Sequence, residues 1–123
     1  RYRRSLELLR VARPTEPCLV IGPTEHGKKN RGRVTNDPLT ARMTRWQRKL
    51  AVEAGCAFFD ASAWMAEVGD MNHWVKRKLV WLDMAHLTPG GQSKLGHALY
   101  RAHLKGLASF MQRKGDGIGR SGL

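Results

Sequence analysis

Apolar residues along this chain form two short continuous runs, with helical patterns between and around them. The runs Cys18–Ile21 and Cys56–Phe59 are apolar throughout, and Gly22-Pro23 closes the first. Short apolar runs bounded by turn residues are typical of strands that are buried on both faces. The pattern therefore predicts two strands of a parallel sheet.

Helical signals come before, between and after these strands. Residues 1–12 place apolar side chains three and four positions apart. Asp37-Pro38 and Thr88-Pro89 each combine a capping residue with a proline at the first helical position, so they predict the starts of two longer helices. Asp60 can cap a short helix over residues 61–68.

Spacing also predicts which helical positions pack in the core. In the helix after Asp37 these are Leu39, Met43, Trp46, Leu50 and Ala54. In the last helix they are Leu95, Leu99, Ala102, Leu107 and Phe110. Residues 24–36 are polar and lack periodicity, so they predict a long loop, and residues 71–79 fit either a short helix or an irregular loop.

Alternating strands and helices predict an α/β fold with a parallel sheet and right-handed crossovers. Two strands rarely make a parallel sheet alone, and the chain begins with Arg1 inside a predicted helix. We therefore expect part of a larger fold, with a sheet that is incomplete on the N-terminal side. The domain is expected to span residues 1–112, and residues 113–123, rich in Gly, are expected to form a disordered tail.

The net charge of +12 is concentrated in residues 1–50, which hold 13 Lys and Arg against 4 Asp and Glu. The densest run, Lys28–Arg33, contains no aromatic residue to stack on bases. This favours a solvated loop over a nucleic-acid surface. No apolar run approaches the roughly 18 residues of a membrane-spanning helix, so none is predicted.

Cys18 and Cys56 both lie in the predicted strands. Neither their number nor their spacing indicates a disulfide framework or a metal site, so we expect buried free thiols. His26 beside Glu25 has no second ligand at a recognisable spacing, and no metal is predicted. The cellular compartment is left undetermined.

Asp83 and His86 carry the pattern with the clearest chemistry. They precede the last helix, and a tight turn can bring a carboxylate to a ring nitrogen three residues away. In a parallel sheet such a loop lies beyond the carboxyl ends of the strands, where reactive groups collect. An Asp that holds a His in one tautomer is what an acid–base pair needs, although the bare spacing also fits an ordinary turn.

The surrounding sequence resembles the SGNH/GDSL hydrolases. Asp83–Gly91, which reads Asp-Met-Ala-His-Leu-Thr-Pro-Gly-Gly, is similar to the family's last block of Asp-x-x-His-Leu-Thr and a final helix. The segments 18–23 and 54–60 are similar to its last two strands, and 69–74 resembles a segment seen in bacterial members. The likeness covers roughly residues 1–112.

The resemblance implies the C-terminal half of a three-layer α/β/α, flavodoxin-like fold that hydrolyses esters without a metal or cofactor. His86 would act as general base and then general acid, and Asp83 would orient it. His73, Trp74 and Trp81 would line the substrate cleft. The implied substrate is an ester, of an acetylated or short-acyl carbohydrate or lipid.

The family's nucleophile lies in a Gly-Asp-Ser block that this sequence lacks. The serines present here all stand in other contexts: Ser5, Ser62, Ser93, Ser109 and Ser121. We therefore expect the chain alone to be inactive, since triad members act as a unit. Two alternatives stay open: a basic nucleic-acid-binding or interaction module using Lys28–Arg33 and the arginines of residues 1–13, and a non-catalytic degenerate homologue.

Overall fold

The computed structural model describes residues 1–120, apart from the side chains of Phe110 and residues 113–120. Its elements in chain order are α1 (Tyr2–Ala12), β1 (Leu19–Ile21), β2 (Gly27–Asn30), β3 (Arg33–Asn36), α2 (Pro38–Glu53), β4 (Ala57–Phe59), α3 (Ala61–Val68), α4 (Met71–Lys76) and α5 (Pro89–Arg120). Within the described range, no helix has the length and apolar character needed to cross a membrane.

The two predicted buried strands pair as a parallel sheet. β1 lies beside β4 with Leu19 opposite Ala57 and Ile21 opposite Phe59. Helix α2 packs against both strands from one side. The predicted burial of both faces is wrong for the other side, where Leu19 and Ile21 are about half exposed. Leu19 lines an open groove between the strands and α5.

A disulfide joins Cys18 to Cys56, so the prediction of two free thiols is wrong. Both residues stand immediately before paired strands, and the Ala57 N–H donates a hydrogen bond to the Cys18 carbonyl at 2.9 Å. The parallel pairing therefore brings the two sulfurs together. The disulfide cannot be predicted from the separation of 38 residues, because the two cysteines come together only when β1 and β4 pair.

Helix α2 has the predicted start but a different buried face. The Asp37 side chain accepts a hydrogen bond from Leu39 N–H at 3.0 Å, as expected of the cap. Most of the predicted core positions are instead about half exposed: Leu39, Met43 and Trp46. The buried positions are Thr40, Thr44, Leu50 and Ala51.

Threonines occupy this face where the spacing predicts large apolar residues, and the Thr44 hydroxyl is hydrogen-bonded within the protein. Thr44 Oγ1 donates to the Thr40 carbonyl at 2.9 Å and lies 3.2 Å from Ser62 Oγ of α3. Trp46 lies at the edge instead, where its ring packs on Tyr2 of α1 with 5.5 Å between centroids.

The predicted loop over residues 24–36 contains an antiparallel hairpin of β2 and β3. Its two-residue turn is Arg31-Gly32, with φ angles of 48° and 79°. Positive φ at both central residues is what a type I′ hairpin turn requires. Strand β2 consists of glycine, lysine and asparagine, which are poor strand formers, so the sequence pattern does not predict this hairpin.

The main core lies under the hairpin and beside the last loop. It consists of Met65, Met71, Trp74, Leu79, Val80 and Leu87. Helix α3 has its predicted bounds. Of the two alternatives for residues 71–79, the structure shows a short helix over residues 71–76, capped by Asp70, whose side chain accepts a hydrogen bond from the His73 N–H at 2.8 Å.

Helix α5 begins as predicted, but its side chains become more exposed toward its C-terminal end. Ala98 is buried and Leu99 is half-buried, whereas Ala102 and Leu107 are exposed, so their predicted burial is wrong. The helical backbone continues past the predicted domain end at residue 112 and reaches Arg120. The rest of the predicted tail, residues 121–123, lies outside the described residues.

Candidate active site

The loop over residues 81–86 is closed by backbone hydrogen bonds. An antiparallel bridge joins Val80 to Leu87, and the Trp81 N–H donates to the His86 carbonyl at 2.8 Å. Within the loop, the Met84 N–H donates to the Trp81 carbonyl at 2.9 Å, and Met84 has a left-handed φ of 56°. The loop is thus a defined turn rather than an open connection.

The start of α5 is fixed against the end of the same loop. Thr88 Oγ1 donates to the Lys78 carbonyl at 2.9 Å and accepts from the Gly91 N–H at 3.3 Å. A side chain at position 91 would place its Cβ only 2.0 Å from the Leu79 carbonyl oxygen. Glycine at this position therefore allows the first turn of α5, which begins at Pro89, to lie close against the Leu79 carbonyl.

Asp83 and His86 meet through their side chains. The Nδ1 atom of His86 lies 2.6 Å from Oδ2 of Asp83. The other carboxylate oxygen, Oδ1, accepts from the backbone N–H groups of Ala85 at 3.0 Å and His86 at 3.1 Å. The hydrogen bond from His86, followed by those from the two N–H groups, lowers the pKa of Asp83 to about 2.

This arrangement assigns the histidine tautomer. A carboxylate can only accept, so Nδ1 carries the proton and Nε2 keeps a free lone pair. The side chain of His86 is 80% exposed, which leaves Nε2 open to a reacting group. The pair can therefore take up a proton at Nε2 and stabilise the resulting imidazolium.

Gly27, at the base of the hairpin, is bonded to this loop. Its N–H donates to the Met84 carbonyl at 2.8 Å. A Cβ on Gly27 would lie 2.3 Å from Met71 Cγ and 3.0 Å from Met84 Cβ. Neither Gly27 nor Met84 stands out in the sequence, where the only signal is a glycine at the edge of a polar segment.

The three residues predicted to line a cleft lie in different places. Trp81 belongs to the 81–86 loop and is about half exposed. His73 lines a separate depression with Arg77 and Lys94. Trp74 is fully buried in the core and its Nε1–H donates to the Met65 carbonyl at 3.0 Å, so its prediction as a cleft residue is wrong.

The hydroxyls of three serines are engaged in helices. Ser62 Oγ donates to Asp60 Oδ1 at 2.9 Å at the start of α3. Ser5 and Ser109 donate to backbone carbonyls four residues earlier in their own helices. None of these three is hydrogen-bonded to His86. Among the side chains that the structure describes, no three His, Cys, Asp or Glu residues lie together as a metal site would require.

No protein-family model and no curated protein sequence matches this chain. The fold is similar to that of a solved peptidoglycan O-acetylesterase, with a TM-score of 0.77 and 18% sequence identity. The similarity covers 88% of this chain and 31% of the esterase, so this chain spans about a third of that protein's length. The likeness confirms the predicted fold class: an α/β fold with a parallel sheet that corresponds to part of an esterase fold.

Proposed function

We propose that this chain supplies the acid–base pair of a serine-type ester hydrolase, with His86 as the proton carrier and Asp83 as its orienting carboxylate. The observation that carries the proposal is the 2.6 Å contact between His86 Nδ1 and Asp83 Oδ2, combined with an exposed Nε2. Similarity to an O-acetylesterase fold supports the same reaction class.

The proposed reaction needs a nucleophile from outside these 123 residues. A serine hydroxyl attacks the ester carbonyl while Nε2 of His86 accepts its proton. The tetrahedral intermediate collapses, the bond from the carbonyl carbon to the alkoxy oxygen breaks, and the imidazolium gives its proton to the departing alcohol. A water molecule then attacks the acyl-serine with the same two proton transfers, which releases the carboxylic acid and restores the serine.

Asp83 holds its charge throughout this cycle. Its pKa, lowered to about 2, keeps it ionised at neutral pH. A permanent carboxylate favours the imidazolium that forms when the serine proton is transferred. The backbone N–H groups of Ala85 and His86 fix the carboxylate in place, so little reorganisation accompanies the transfer.

The proposed substrate is an O-acetyl or short-acyl ester. Trp81 and Leu82 adjoin Asp83 in the chain, and both are exposed, Leu82 to 90%. An exposed indole next to the acid–base pair offers a flat apolar surface to a sugar ring or an acyl group. The solved structure with the similar fold belongs to an enzyme named for O-acetyl groups on peptidoglycan, which supports the same substrate class here.

The test is hydrolysis of p-nitrophenyl acetate by the native gene product that carries residues 1–123. We expect His86→Ala to lower kcat at least about 10⁴-fold and a fluorophosphonate probe to label one serine. His97→Ala is the matched control, because His97 is an exposed histidine whose ring bonds only to its own helix at the Ser93 carbonyl. Absence of both hydrolysis and labelling would instead indicate a degenerate, non-catalytic homologue.

A further inference from the structure

The tip of the β2–β3 hairpin forms a shallow depression in which every lining residue can form hydrogen bonds. The depression is lined by Asn30, Arg31, Arg33 and Thr35. Two guanidinium groups beside an amide and a hydroxyl provide a fork of donors with a net positive charge. This composition matches a carboxylate or phosphate group rather than an apolar or cationic ligand.

The strand register explains why these side chains share a face. Asn30 pairs with Arg33 and Lys28 pairs with Thr35, and directly opposite residues of an antiparallel pair lie on the same face. The other face contains Val34, which packs against the core. The depression is therefore on the outer face of a hairpin that the core holds in place.

The two arginines of the depression have no acidic partner within the described part of the chain. Lys28 is the hairpin cation that forms an ion pair there, with 3.9 Å between its Nζ and Asp37 Oδ1. Arg31 and Arg33 are exposed, and the structure places no carboxylate within 4.0 Å of either. Their charge is thus free for a ligand.

The hairpin is joined to the candidate active site at its base. Gly27 begins β2 and donates its N–H to Met84, the residue that follows Asp83. With a rise of about 3.4 Å per residue, Asn30 lies roughly 10 Å along the strand from this contact. The depression is therefore on the same hairpin whose base contacts the acid–base loop, but it is separate from that contact.

We propose that the outer face of the hairpin is a substrate-binding arm that holds carboxylate or phosphate groups of an anionic polymer bearing the ester. This rests on the proposed function, because the arm selects the substrate of the Asp83–His86 site. No aromatic residue lines the depression, which favours an acidic glycan or phosphate polymer over single-stranded nucleic acid.

Binding to the 123-residue chain tests the arm without requiring catalysis. The probes are polygalacturonate, polyphosphate, neutral dextran and a 20-nucleotide oligothymidylate, each titrated at low and high salt. We expect at least one of the two acidic polymers to bind with a salt-dependent affinity and dextran to show no binding. Comparing polygalacturonate with polyphosphate distinguishes carboxylate from phosphate recognition.

The paired variants assign the binding to the hairpin. Arg31→Gln with Arg33→Gln is expected to weaken binding about tenfold, which corresponds to about 1.4 kcal/mol, since both exposed charges are removed. Arg45→Gln with Arg101→Gln removes the same charge from exposed helical positions and should change affinity less than about twofold. Arg33→Lys keeps the charge but loses the planar arrangement of guanidinium donors, so its affinity should lie between those of the two double variants.

Four results would overturn the proposal: no binding of either acidic polymer, equal loss in the two double variants, binding of dextran, or oligothymidylate binding that exceeds both acidic polymers. In the ester-hydrolysing gene product, the hairpin variant should raise KM for O-acetylated polygalacturonate or O-acetylated poly(glycerol phosphate), according to whether carboxylate or phosphate is bound, and leave kcat and p-nitrophenyl acetate hydrolysis unchanged. If His86→Ala has no effect on hydrolysis, the proposed function fails, while the binding measurements still decide whether the hairpin binds anions.

Discussion

The backbone N–H of Gly27 donates a hydrogen bond to the carbonyl of Met84 across 2.8 Å, and this contact joins the hairpin to the loop that holds Asp83 and His86. The close approach depends on the absence of a side chain, because a Cβ on Gly27 would lie 2.3 Å from Met71 Cγ. The geometry of the acid–base loop therefore depends on a residue more than fifty positions earlier in the chain.

Gly27→Ala should disturb both the fold and the pair. Met71 and Met84 would have to move, and overpacking of this kind costs about 1–3 kcal/mol of unfolding free energy. Displacement of Met84 should also weaken the bond between Asp83 and His86. The measurements are urea unfolding and the NMR signal of the His86 Nδ1 proton.

The control for that variant is Gly96→Ala. Gly96 lies in α5 with no atom within 4 Å of its would-be Cβ, so alanine should raise stability by up to about 1 kcal/mol and leave the His86 signal unchanged. Equal stability and an unchanged His86 signal in Gly27→Ala would show that the loop does not depend on this contact.

Asp83 should remain ionised down to about pH 2 because His86 and two backbone N–H groups donate to it. A folded-state pKa below the ordinary 3.8 means that its contribution to stability is present above pH 3.8 and is lost as the pH falls toward 2. His86→Ala removes the largest cause, so the pKa of Asp83 should rise toward its ordinary value. Carboxyl ¹³C NMR titration measures this.

Asp60 provides the internal control for that titration. Burial raises the pKa of Asp60, but hydrogen bonds from Ala63 and Ser62 and the ion pair with Arg48 outweigh it and lower the pKa. Asp60 lies at the start of α3 and has no contact with His86, so its titration should not change in His86→Ala. An Asp83 curve that also stays unchanged would contradict the hydrogen bond between the two side chains.

The features that the sequence predicts correctly are those decided by neighbouring residues. Asp37, Asp60 and Thr88 cap helices through hydrogen bonds that span two or three positions, so their signals are local. The contact between Asp83 and His86 is equally local, since one turn is enough to form it. Their catalytic role stays a prediction.

The features that the sequence does not predict depend on tertiary pairing. Cys18 meets Cys56 only because β1 and β4 are adjacent. Trp74 resembles a cleft residue by its place in a motif, yet the core of α3 and α4 encloses it. Trp46 has core spacing on α2, but it lies at the edge of the contact with α1.

The disulfide should contribute substantially to stability. Closing a 38-residue loop lowers the entropy of the unfolded chain, which corresponds to about 4 kcal/mol in the chain-entropy treatment. Replacing Cys18 and Cys56 by serine should lower the unfolding free energy by about this amount in urea titrations. Dithiothreitol should destabilise the parent chain similarly and leave the double variant unchanged; the same midpoint with and without reductant would contradict the bond.

Trp74 should be the tryptophan on which the fold depends most. Its side chain is fully buried, packs edge-on against Trp64 at 5.6 Å between centroids and donates to two backbone carbonyls. Trp74→Ala should therefore cost about 3–5 kcal/mol of unfolding free energy. Trp46→Ala, at a half-exposed position, should cost about 1 kcal/mol. Similar losses in the two variants would contradict the assignment of Trp74 to the core.

The 123-residue chain on its own should be a poor esterase despite its well-formed pair. Without the nucleophile, a triad loses about 10⁴–10⁶-fold in turnover, and an exposed imidazole offers little beyond its counterpart in solution. We expect p-nitrophenyl acetate hydrolysis at about the rate of free imidazole of equal concentration. Hydrolysis well above that rate, abolished in His86→Ala and retained in His97→Ala, would show that a group within these residues serves as the nucleophile.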